Sequence, residues 1–440
     1  MPKADTPSER RLQRQWARQE PSASALATPD GRPVRVLFPG WPNTDSGPDF
    51  LGALIERADG RLLHGDVELH LAPSGWRQHG HHRDPAYSKV VLHVLWQGGS
   101  SRTDLPAEAI TYRPNISPDV APLPIADDAR PCVHSADAWD DAAIGGFLDR
   151  EGEGRFAAKA SSLAAAIAAQ GAEEALHTAL CEALGYAKNI EAFRALAERM
   201  PRAQLRAAAY ASPQADRLEI VEALLFGAAG LLPAQRGIQG DAYATRLEAL
   251  WRAHAPAVPA PALPWRAFRV RPENAPPRRI AALARLLAGN LEGGLSPTIE
   301  VALSAAAREG AASSIARALT VTAEGYWARH ADLGAPCAES PTLLGKARAA
   351  EIVVNIVLPF FSALAHRRAD ASLAEQCRRL YGMHPPLAEN HITERMEALL
   401  LPGRARTIVT TARRHQGLIG LYKSRCFALR CRGCAFAAPA

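Results

Sequence analysis

The stretch Gly65-Asp66-Val67-Glu68-Leu69-His70 decides how the N-terminal part of the chain folds. Polar and apolar side chains alternate along it. This period of two predicts a β-strand, because successive strand residues point to opposite faces of a sheet. The polar residues Asp66, Glu68 and His70 should therefore share one face, and the apolar residues between them should pack into a core.

The residues before this strand complete a β-hairpin. Residues 50–56 predict a first strand, Asp59-Gly60 predicts a tight turn, and residues 62–71 predict the return strand. Gly47-Pro48-Asp49 leads into the first strand, so Asp49 should lie at its start and face the row of polar groups. The sequence thus predicts two or three carboxylates and a histidine at one end of a hairpin.

Converging carboxylates are the ligands that a hard divalent cation prefers, with open positions left for water and a phosphate oxygen. We therefore predict that Asp49 and Glu68 hold Mg2+ or Mn2+, and that Asp66 is a further ligand. His70 would orient a water molecule or take its proton. The structural alternative is that the Pro-Asp pair forms a turn, and that Glu68 and His70 are solvated residues of an exposed strand.

The same residues resemble the Pro-Asp…(Asp/Glu)-x-Lys signature of the restriction-endonuclease-like nucleases. Pro48-Asp49 matches its first half and Glu68-Leu69-His70 its second half, with His70 at the position of the lysine. The predicted order up to residue 96 (helix, three strands, helical segment, strand) is the α-β-β-β-α-β core topology of that fold. The resemblance implies metal-dependent cleavage of DNA or RNA. Because a neutral histidine supplies no permanent charge, the alternative is a nucleic-acid-binding or scaffold protein whose nuclease-like domain has lost catalysis.

Histidines are concentrated in the same region. Six of the fourteen in the chain lie between residues 64 and 93: His64, His70, His79, His81, His82 and His93. Histidine is the commonest ligand of transition metals and the usual proton carrier near neutral pH. We predict that His79, His81 and His93 add to the metal site. This gives a third interpretation, a transition-metal enzyme that acts on a small substrate; the alternative is that several are surface residues or hydrogen-bond partners.

A second candidate metal site lies at the end of the chain. Cys426, Cys431 and Cys434 have a spacing that suits a zinc ion or an iron–sulfur cluster, and Cys132 or His134 is the natural candidate for the fourth ligand. The other candidates for the fourth position are Cys377 and His415. The structural alternative is three reduced thiols at a frayed terminus.

Basic residues further along the chain are candidates for binding nucleic acid. Arg269, Arg271 and Arg278 lie at the start of a predicted helix, and Arg413 and Arg414 lie shortly before the cysteines. Arginine side chains in such positions bind phosphate groups. The alternative for the first group is a solvated loop that caps the helix.

Composition limits the class of protein and its location. An apolar content of 48% is ordinary for a soluble globular protein, and a net charge of +6 is compatible with a polyanionic partner. We predict no membrane span and no signal peptide, because no run of about 18 apolar residues is present. Seven unevenly spaced cysteines favour a cytoplasmic protein with reduced thiols. The chain lacks a GxxxxGK(S/T) motif and a GxGxxG motif after a strand, so ATP hydrolysis and hydride transfer are unsupported.

The sequence predicts an α+β protein in two parts. Residues 1–130 should form a restriction-endonuclease-like α/β domain with a mixed sheet. Residues 131–440 should form one or more helical domains that end in the cysteine cluster, because apolar residues recur there at spacings of three and four. The length of 440 residues suits two or three domains, and the Pro-rich stretch 255–264 divides the helical part.

Segments spread over nearly the whole chain resemble a bacterial family known as domain of unknown function 2851. They include Gly47-Pro48-Asp49-Phe50, Gly65-Asp66-Val67-Glu68-Leu69-His70, Trp76, His79-Gly80-His81, Arg271-Pro272-Glu273-Asn274, Asn355-Ile356-Val357-Leu358-Pro359 and His415-Gln416-Gly417-Leu418. The resemblance implies a shared architecture and no particular activity.

Overall fold

The structure, a computed structural model, describes most of the 440 residues. The described residues are 8–18, 32–43, 46–96, 108–111, 132, 139–255, 262–267, 270–431, 434 and 436. The chain divides into two compact units, the first formed by residues 1–140 and 421–440 and the second by residues 141–420. The sequence predicts that residues 421–440 belong to the helical part, whereas the structure groups them with the first unit.

The first unit contains the predicted mixed sheet. Its elements are helix α1 (Glu9–Arg18), strands β1 (Val34–Phe38), β2 (Trp41–Pro42), β3 (Phe50–Arg57) and β4 (Leu62–His70), helix α2 (Gly75–Gln78), and strands β5 (Val90–Leu95) and β6 (Glu108–Thr111). The strand order is β1-β3-β4-β5-β6, with β2 also paired to β3. Strands β1, β2 and β4 are antiparallel to β3, whereas β5 is parallel to both β4 and β6.

The hairpin forms as its turn residues predict. The N–H of Gly60 donates to the carbonyl of Arg57 at 2.9 Å, and Gly60 adopts a φ of 77°. This left-handed conformation favours glycine, because a Cβ atom crowds the backbone there. Strands β3 and β4 then pair from Glu56 with Leu62 onward. The register then shifts between Phe50 and Ala53, so the turn and this irregularity together place Asp49 beside β4.

The core of the first unit lies on one face of this sheet. Val67 and Leu69 of β4 are buried there, together with Leu12 and Trp16 of α1. The four-residue spacing of Leu12 and Trp16 places both on one side of the helix. Because alternate strand residues face opposite ways, Glu68 points away from this core.

The second unit is mainly helical. Its helices are α3 (Asp141–Gln170), α4 (Ala172–Leu184), α5 (Ile190–Arg199), α6 (Arg202–Tyr210), α7 (Arg217–Ala229), α8 (Pro233–Arg236), α9 (Ala242–His254), α10 (Pro276–Ala288), α11 (Leu295–Glu309), α12 (Ser313–Leu319), α13 (Lys346–Ile352), α14 (Leu358–Arg368), α15 (Ala371–Met383), α16 (His391–Leu400), α17 (Ala405–Ile408) and α18 (Ala412–Leu421). Four short strands that the helical pattern did not predict are β7 (Val321–Thr322), β8 (His330–Asp332), β9 (Ala335–Pro336) and β10 (Thr342–Leu344).

Two helical stretches of this unit, Gln214–Arg236 and Lys346–Arg368, are long and apolar enough to cross a membrane by length and composition. In each of them, 72% of the apolar window is buried inside the protein. Helices in the core of a globular protein have the same composition, because they are apolar on all sides. These stretches are therefore weak evidence for a membrane.

Glycine allows the close packing of helices α3 and α18. A Cβ atom on Gly152 of α3 would lie 2.1 Å from the carbonyl oxygen of Arg413. We expect Gly152→Ala to lower the free energy of unfolding by about 3 kcal/mol, because backbone must move to admit the methyl group. Gly154→Ala is the matched control in the same helix, since nothing lies within 4 Å of its Cβ position.

The control should stabilise the protein by about 0.5–1 kcal/mol, because alanine restricts the unfolded chain. Urea denaturation of both variants and the wild type measures the two effects. If Gly152→Ala unfolds at the same urea concentration as Gly154→Ala, the close contact at Gly152 is not required.

Candidate active site

Asp49 and Glu68 are held side by side where β3 begins. The backbone N–H of Asp49 donates to Oε2 of Glu68 at 2.9 Å, and the N–H of Leu69 donates to Oδ2 of Asp49 at 3.1 Å. Glu68 therefore accepts a hydrogen bond from the backbone of Asp49, and Asp49 accepts one from the backbone of Leu69, the residue after Glu68. The structure thus brings together the two carboxylates that the sequence singled out.

Two histidines lie next to the other oxygen of Glu68, and a third lies beside one of them. Oε1 of Glu68 is 3.1 Å from Nε2 of His81 and 3.6 Å from Nε2 of His70. Nε2 of His70 is in turn 3.1 Å from Nδ1 of His79. One ligand nitrogen from each histidine lies within 4.8 Å of the other two. In the described part of the chain, this is the group of three side chains with the spacing of metal ligands.

Two glycines allow this group to form. A Cβ atom on Gly75, the first residue of α2, would lie 2.5 Å from Cδ2 of His70, so glycine lets the helix approach the ring. Gly80 adopts a φ of 77° and turns the chain between His79 and His81. That left-handed conformation again favours glycine. The short segment after β4 therefore presents His79 and His81 to His70.

His93 and Trp76 lie behind the three histidines. His93 of β5 is opposite Glu68 in the parallel register, and its Nε2 is 2.7 Å from Nδ1 of His70. The Trp76 ring packs 5.3 Å from the His93 ring and 5.5 Å from the His81 ring. The sequence predicts His93 as a metal ligand. The structure instead places it on Nδ1 of His70, while His79 contacts Nε2.

Burial favours the neutral forms of Asp49, Glu68 and His70, which changes their pKa values. It raises the pKa of Asp49 to about 7, with repulsion from Glu68 adding to the effect, and it raises the pKa of Glu68 to about 8. Burial, assisted by the neighbouring histidines, lowers the pKa of His70 to about 2. A neutral imidazole keeps a lone pair for a metal ion, and a bound cation would restore the charge of the carboxylates. The electrostatics of the site therefore suit a cation.

Helix α1 contributes two residues that the sequence pattern did not reveal. Nε2 of Gln13 donates to Oδ1 of Asp49 at 2.6 Å. Glu9 lies one turn earlier, and its charge raises the pKa of both buried carboxyl groups. Because residues four apart share one face of a helix, Glu9 and Gln13 line the site together. The sequence pattern of α1 showed only Leu12 and Trp16, which face the core.

Asp66, predicted as a further metal ligand, has different partners. Its Oδ1 accepts the N–H of Gly52 at 3.0 Å. Burial raises the pKa of Asp66, opposed by this hydrogen bond and by the charges of Lys89 and His64. The pairing of β4 with β5 shifts register between Asp66 and Val67. The extra residue at this shift, Val91, lies on β5, and among the described residues Asp66 is not part of the histidine group.

The cysteines predicted to bind zinc or an iron–sulfur cluster belong to the first unit. Cys132 and Cys434 are buried, and Cys426 and Cys431 are partly exposed. The N–H of Cys434 donates to the carbonyl of Cys431 at 2.9 Å, which forms a tight turn. Within the described residues, these thiols do not form a group with the spacing of metal ligands. A cysteine metal site therefore stays a prediction from the sequence.

The arginines predicted to bind nucleic acid lie in the second unit. Arg278 is 2% exposed, and its guanidinium donates to carbonyl oxygens next to and within β8 and β10. It is enclosed by these acceptors and has no path to a phosphate group. Arg413 and Arg414 each form an ion pair with a carboxylate of α3. Arg271 is exposed, and Arg269 lies outside the described residues.

The fold is α+β with a mixed sheet, and three histidines beside this sheet have the spacing of metal ligands. Residues 9–390 match the family described as "Protein of unknown function (DUF2851)", and the chain belongs to that family. The matched range contains Asp49, Glu68 and the three histidines, and it ends before the C-terminal cysteines. No curated protein matches the chain, and no solved structure matches it.

Proposed function

We propose that the protein is a divalent-metal-dependent hydrolase that cleaves phosphodiester bonds in nucleic acid. The observation that carries this proposal is the pairing of Asp49 with Glu68, with His70 and His81 against the second oxygen of Glu68. Carboxylate and imidazole groups at one point bind a divalent cation. Such a cation polarises a phosphoryl oxygen and lowers the pKa of bound water, which is the chemistry that phosphodiester hydrolysis requires.

The order of elements supports a nuclease over other hydrolases. Helix α1, strands β1, β3 and β4, the helical segment at residues 75–87 and strand β5 follow the α-β-β-β-α-β order of the restriction-endonuclease-like fold. The short strand β2 is an addition to this order. Asp49 directly precedes β3, and Glu68 and His70 lie on β4, which corresponds to the two halves of the nuclease signature. We therefore propose that fold for the first unit.

The two carboxylates have different tasks in this proposal. Glu68 presents Oε1 to the histidines and would bind the ion directly. Asp49 accepts hydrogen bonds on both oxygens, from Gln13 and from the backbone of Leu69, so its position is fixed. Its own N–H in turn orients Glu68. Asp49 thus adds a second negative charge to the site and holds the carboxylate of Glu68 in place.

Exposed arginines of α1 are placed to bind the phosphate backbone. Arg10, Arg11 and Arg14 are exposed on the helix whose Gln13 contacts Asp49. Cations that contact phosphates release bound counterions, so binding through them weakens as salt is added. We propose these residues, in place of the enclosed Arg278 of the second unit, as contacts for the nucleic acid.

The test of this function uses metal-free protein and labelled single- and double-stranded DNA and RNA. We expect cleavage when Mg2+, Mn2+ or Zn2+ is supplied, and none when a chelator is present. No cleavage with any ion would contradict the proposal and favour a protein that binds nucleic acid without cutting it. Hydrolysis of a small phosphodiester such as bis(p-nitrophenyl) phosphate, without cleavage of any nucleic acid, would favour a metal enzyme with a small substrate.

A further inference from the structure

We infer that the site holds a transition metal ion of the Zn2+ type, bound mainly by nitrogen, and is not built for Mg2+. The ligand atoms are Nε2 of His70, Nδ1 of His79, Nε2 of His81 and Oε1 of Glu68, and His93 is a positioning residue behind them. The inference rests on the location of the proposed active site and is independent of the reaction performed there.

The distances between these atoms suit one small ion. Ligand atoms about 2.1 Å from a tetrahedral zinc ion lie about 3.4 Å apart. The separations are 3.1 Å from Glu68 to His81, 3.6 Å from Glu68 to His70 and 3.1 Å from His70 to His79. One ligand nitrogen from each of the three histidines lies within 4.8 Å of the other two, and Glu68 approaches two of these histidines, His70 and His81.

The chemical type of these ligands selects the metal. Imidazole nitrogen suits zinc, copper, iron and nickel, whereas Mg2+ takes oxygen ligands in an octahedral shell and retains water. Three of the four donors here are imidazole nitrogens, and one is a carboxylate oxygen. His79 is exposed while His70 is 1% exposed, so water reaches the group from one side. Zinc accepts such a water as a fifth ligand.

A buried nitrogen without a hydrogen bond points to the same ion. His81 is 9% exposed, and its Nε2 has no hydrogen-bond partner among the described residues. It lies 3.1 Å from Oε1 of Glu68 but lacks the orientation of a hydrogen bond. Buried polar atoms are rarely left unpaired, because each one loses its hydration. A metal ion between His81 and Glu68 would satisfy both atoms.

His93 favours the tautomer of His70 that can bind a metal through Nε2. A neutral imidazole that binds through Nε2 carries its proton on Nδ1. In His70 this Nδ1 lies 2.7 Å from Nε2 of His93, which can accept the proton in a hydrogen bond. A partner of this kind sets the orientation and basicity of a metal-binding histidine. His93 is therefore placed to orient His70 and does not need to touch the ion.

Zinc affinity tests this inference without any nucleic acid. Full-length, metal-free protein is titrated with Zn2+ against a chromogenic chelator, and Co2+ is used to obtain a ligand-field spectrum. The same titration in a chain with Cys426→Ser, Cys431→Ser and Cys434→Ser removes any contribution of the tail thiols. We expect one tightly bound Zn2+ in this background, at least about 1,000-fold tighter than Mg2+.

Single substitutions then assign the ligands. We expect His81→Ala and His79→Ala each to weaken Zn2+ binding by at least about 100-fold, whereas His82→Ala should leave it unchanged. His82 is the matched control, because it is exposed next to His81 and outside the group. His79 is exposed, so its variant is expected to fold even if a buried variant does not.

The positioning role of His93 has its own prediction. His93→Leu removes the acceptor for His70 and should weaken Zn2+ binding about 10–100-fold, while the Co2+ spectrum keeps the bands of the wild-type ligand set. His93→Gln restores an acceptor and should recover most of the affinity. A spectrum altered by His93→Leu would instead make His93 a ligand and overturn its assignment.

The outcomes separate this inference from the proposed function. Zinc bound through His79 and His81, without cleavage of any nucleic acid, contradicts the nuclease and supports the inference. Cleavage with Mg2+ that is unaffected by His81→Ala, in a protein that does not bind zinc, supports the nuclease and overturns the inference.

Discussion

The Glu68→Gln variant is expected to lose at least about 100-fold of the metal-dependent cleavage while keeping the wild-type fold. Glu68 is the carboxylate that meets both His70 and His81, so the substitution removes a negative charge at the centre of the site. Glutamine has the same shape and still accepts the N–H of Asp49 through its amide oxygen. Cleavage rates measured together with thermal unfolding separate lost chemistry from lost structure.

Glu56→Gln is the matched control for this variant. Glu56 lies on β3, the strand next to β4, and forms an ion pair with Arg35 at 3.3 Å on the surface. An exposed pair of this kind contributes little to stability, so Glu56→Gln should cleave and unfold like the wild type. If Glu68→Gln cleaves as fast as Glu56→Gln, the active site lies elsewhere in the protein.

In the background with Cys426→Ser, Cys431→Ser and Cys434→Ser, the His70→Lys variant is expected to lose its bound zinc, from one ion per chain to less than about one tenth. A lysine ammonium group has no lone pair to donate to a metal, and at this buried position it would form an ion pair with Glu68. His70 is 1% exposed and contacts His79 and His93 through its two ring nitrogens. The substitution therefore removes the residue that lies between His79, a proposed ligand, and His93, the proposed positioning residue.

His82→Lys places the same substitution on an exposed neighbour of the group and should retain the zinc. Metal content after gel filtration, measured by mass spectrometry, compares the two variants with the wild type. The rate of nucleic-acid cleavage by the His70→Lys protein is a second, independent measurement. A His70→Lys protein that cleaves nucleic acid at the wild-type rate would show that His70 occupies the lysine position of the nuclease signature and is not a ligand.

Local patterns in the sequence were sufficient to predict the centre of the site. The Asp-Gly turn and the alternation of Val67, Glu68 and Leu69 define a hairpin, and the structure contains it. A period of two also orients Glu68 and His70 away from the core. The turn and the alternation depend only on residues that are close together in the chain, so a single sequence is enough to predict them.

The same alternation does not show that the carboxylate of Asp66 is engaged by another strand. The register of β4 shifts against β5 at Asp66, and Gly52 of β3 supplies the N–H that its carboxylate accepts. Both effects depend on the neighbouring strands. A sequence pattern within β4 does not contain that information.

Contacts between distant segments account for the other differences. Gln13 contacts Asp49 across 36 residues of chain, and no pattern in α1 distinguishes it from a surface glutamine. Arg278 was predicted to bind phosphate because arginines cluster near it in the sequence. Its guanidinium instead donates to backbone around short strands that a helical pattern does not predict.

The central claim is that one catalytic metal ion lies between Glu68 and the histidines of the first unit. The most direct measurement is anomalous scattering at the zinc absorption edge from crystals of the zinc-loaded protein. We predict one strong peak within about 2–2.5 Å of Oε1 of Glu68 and of a ring nitrogen of each of His70, His79 and His81. Crystals that contain zinc but show a peak only at the C-terminal cysteines, or no peak beside Glu68, would contradict the account.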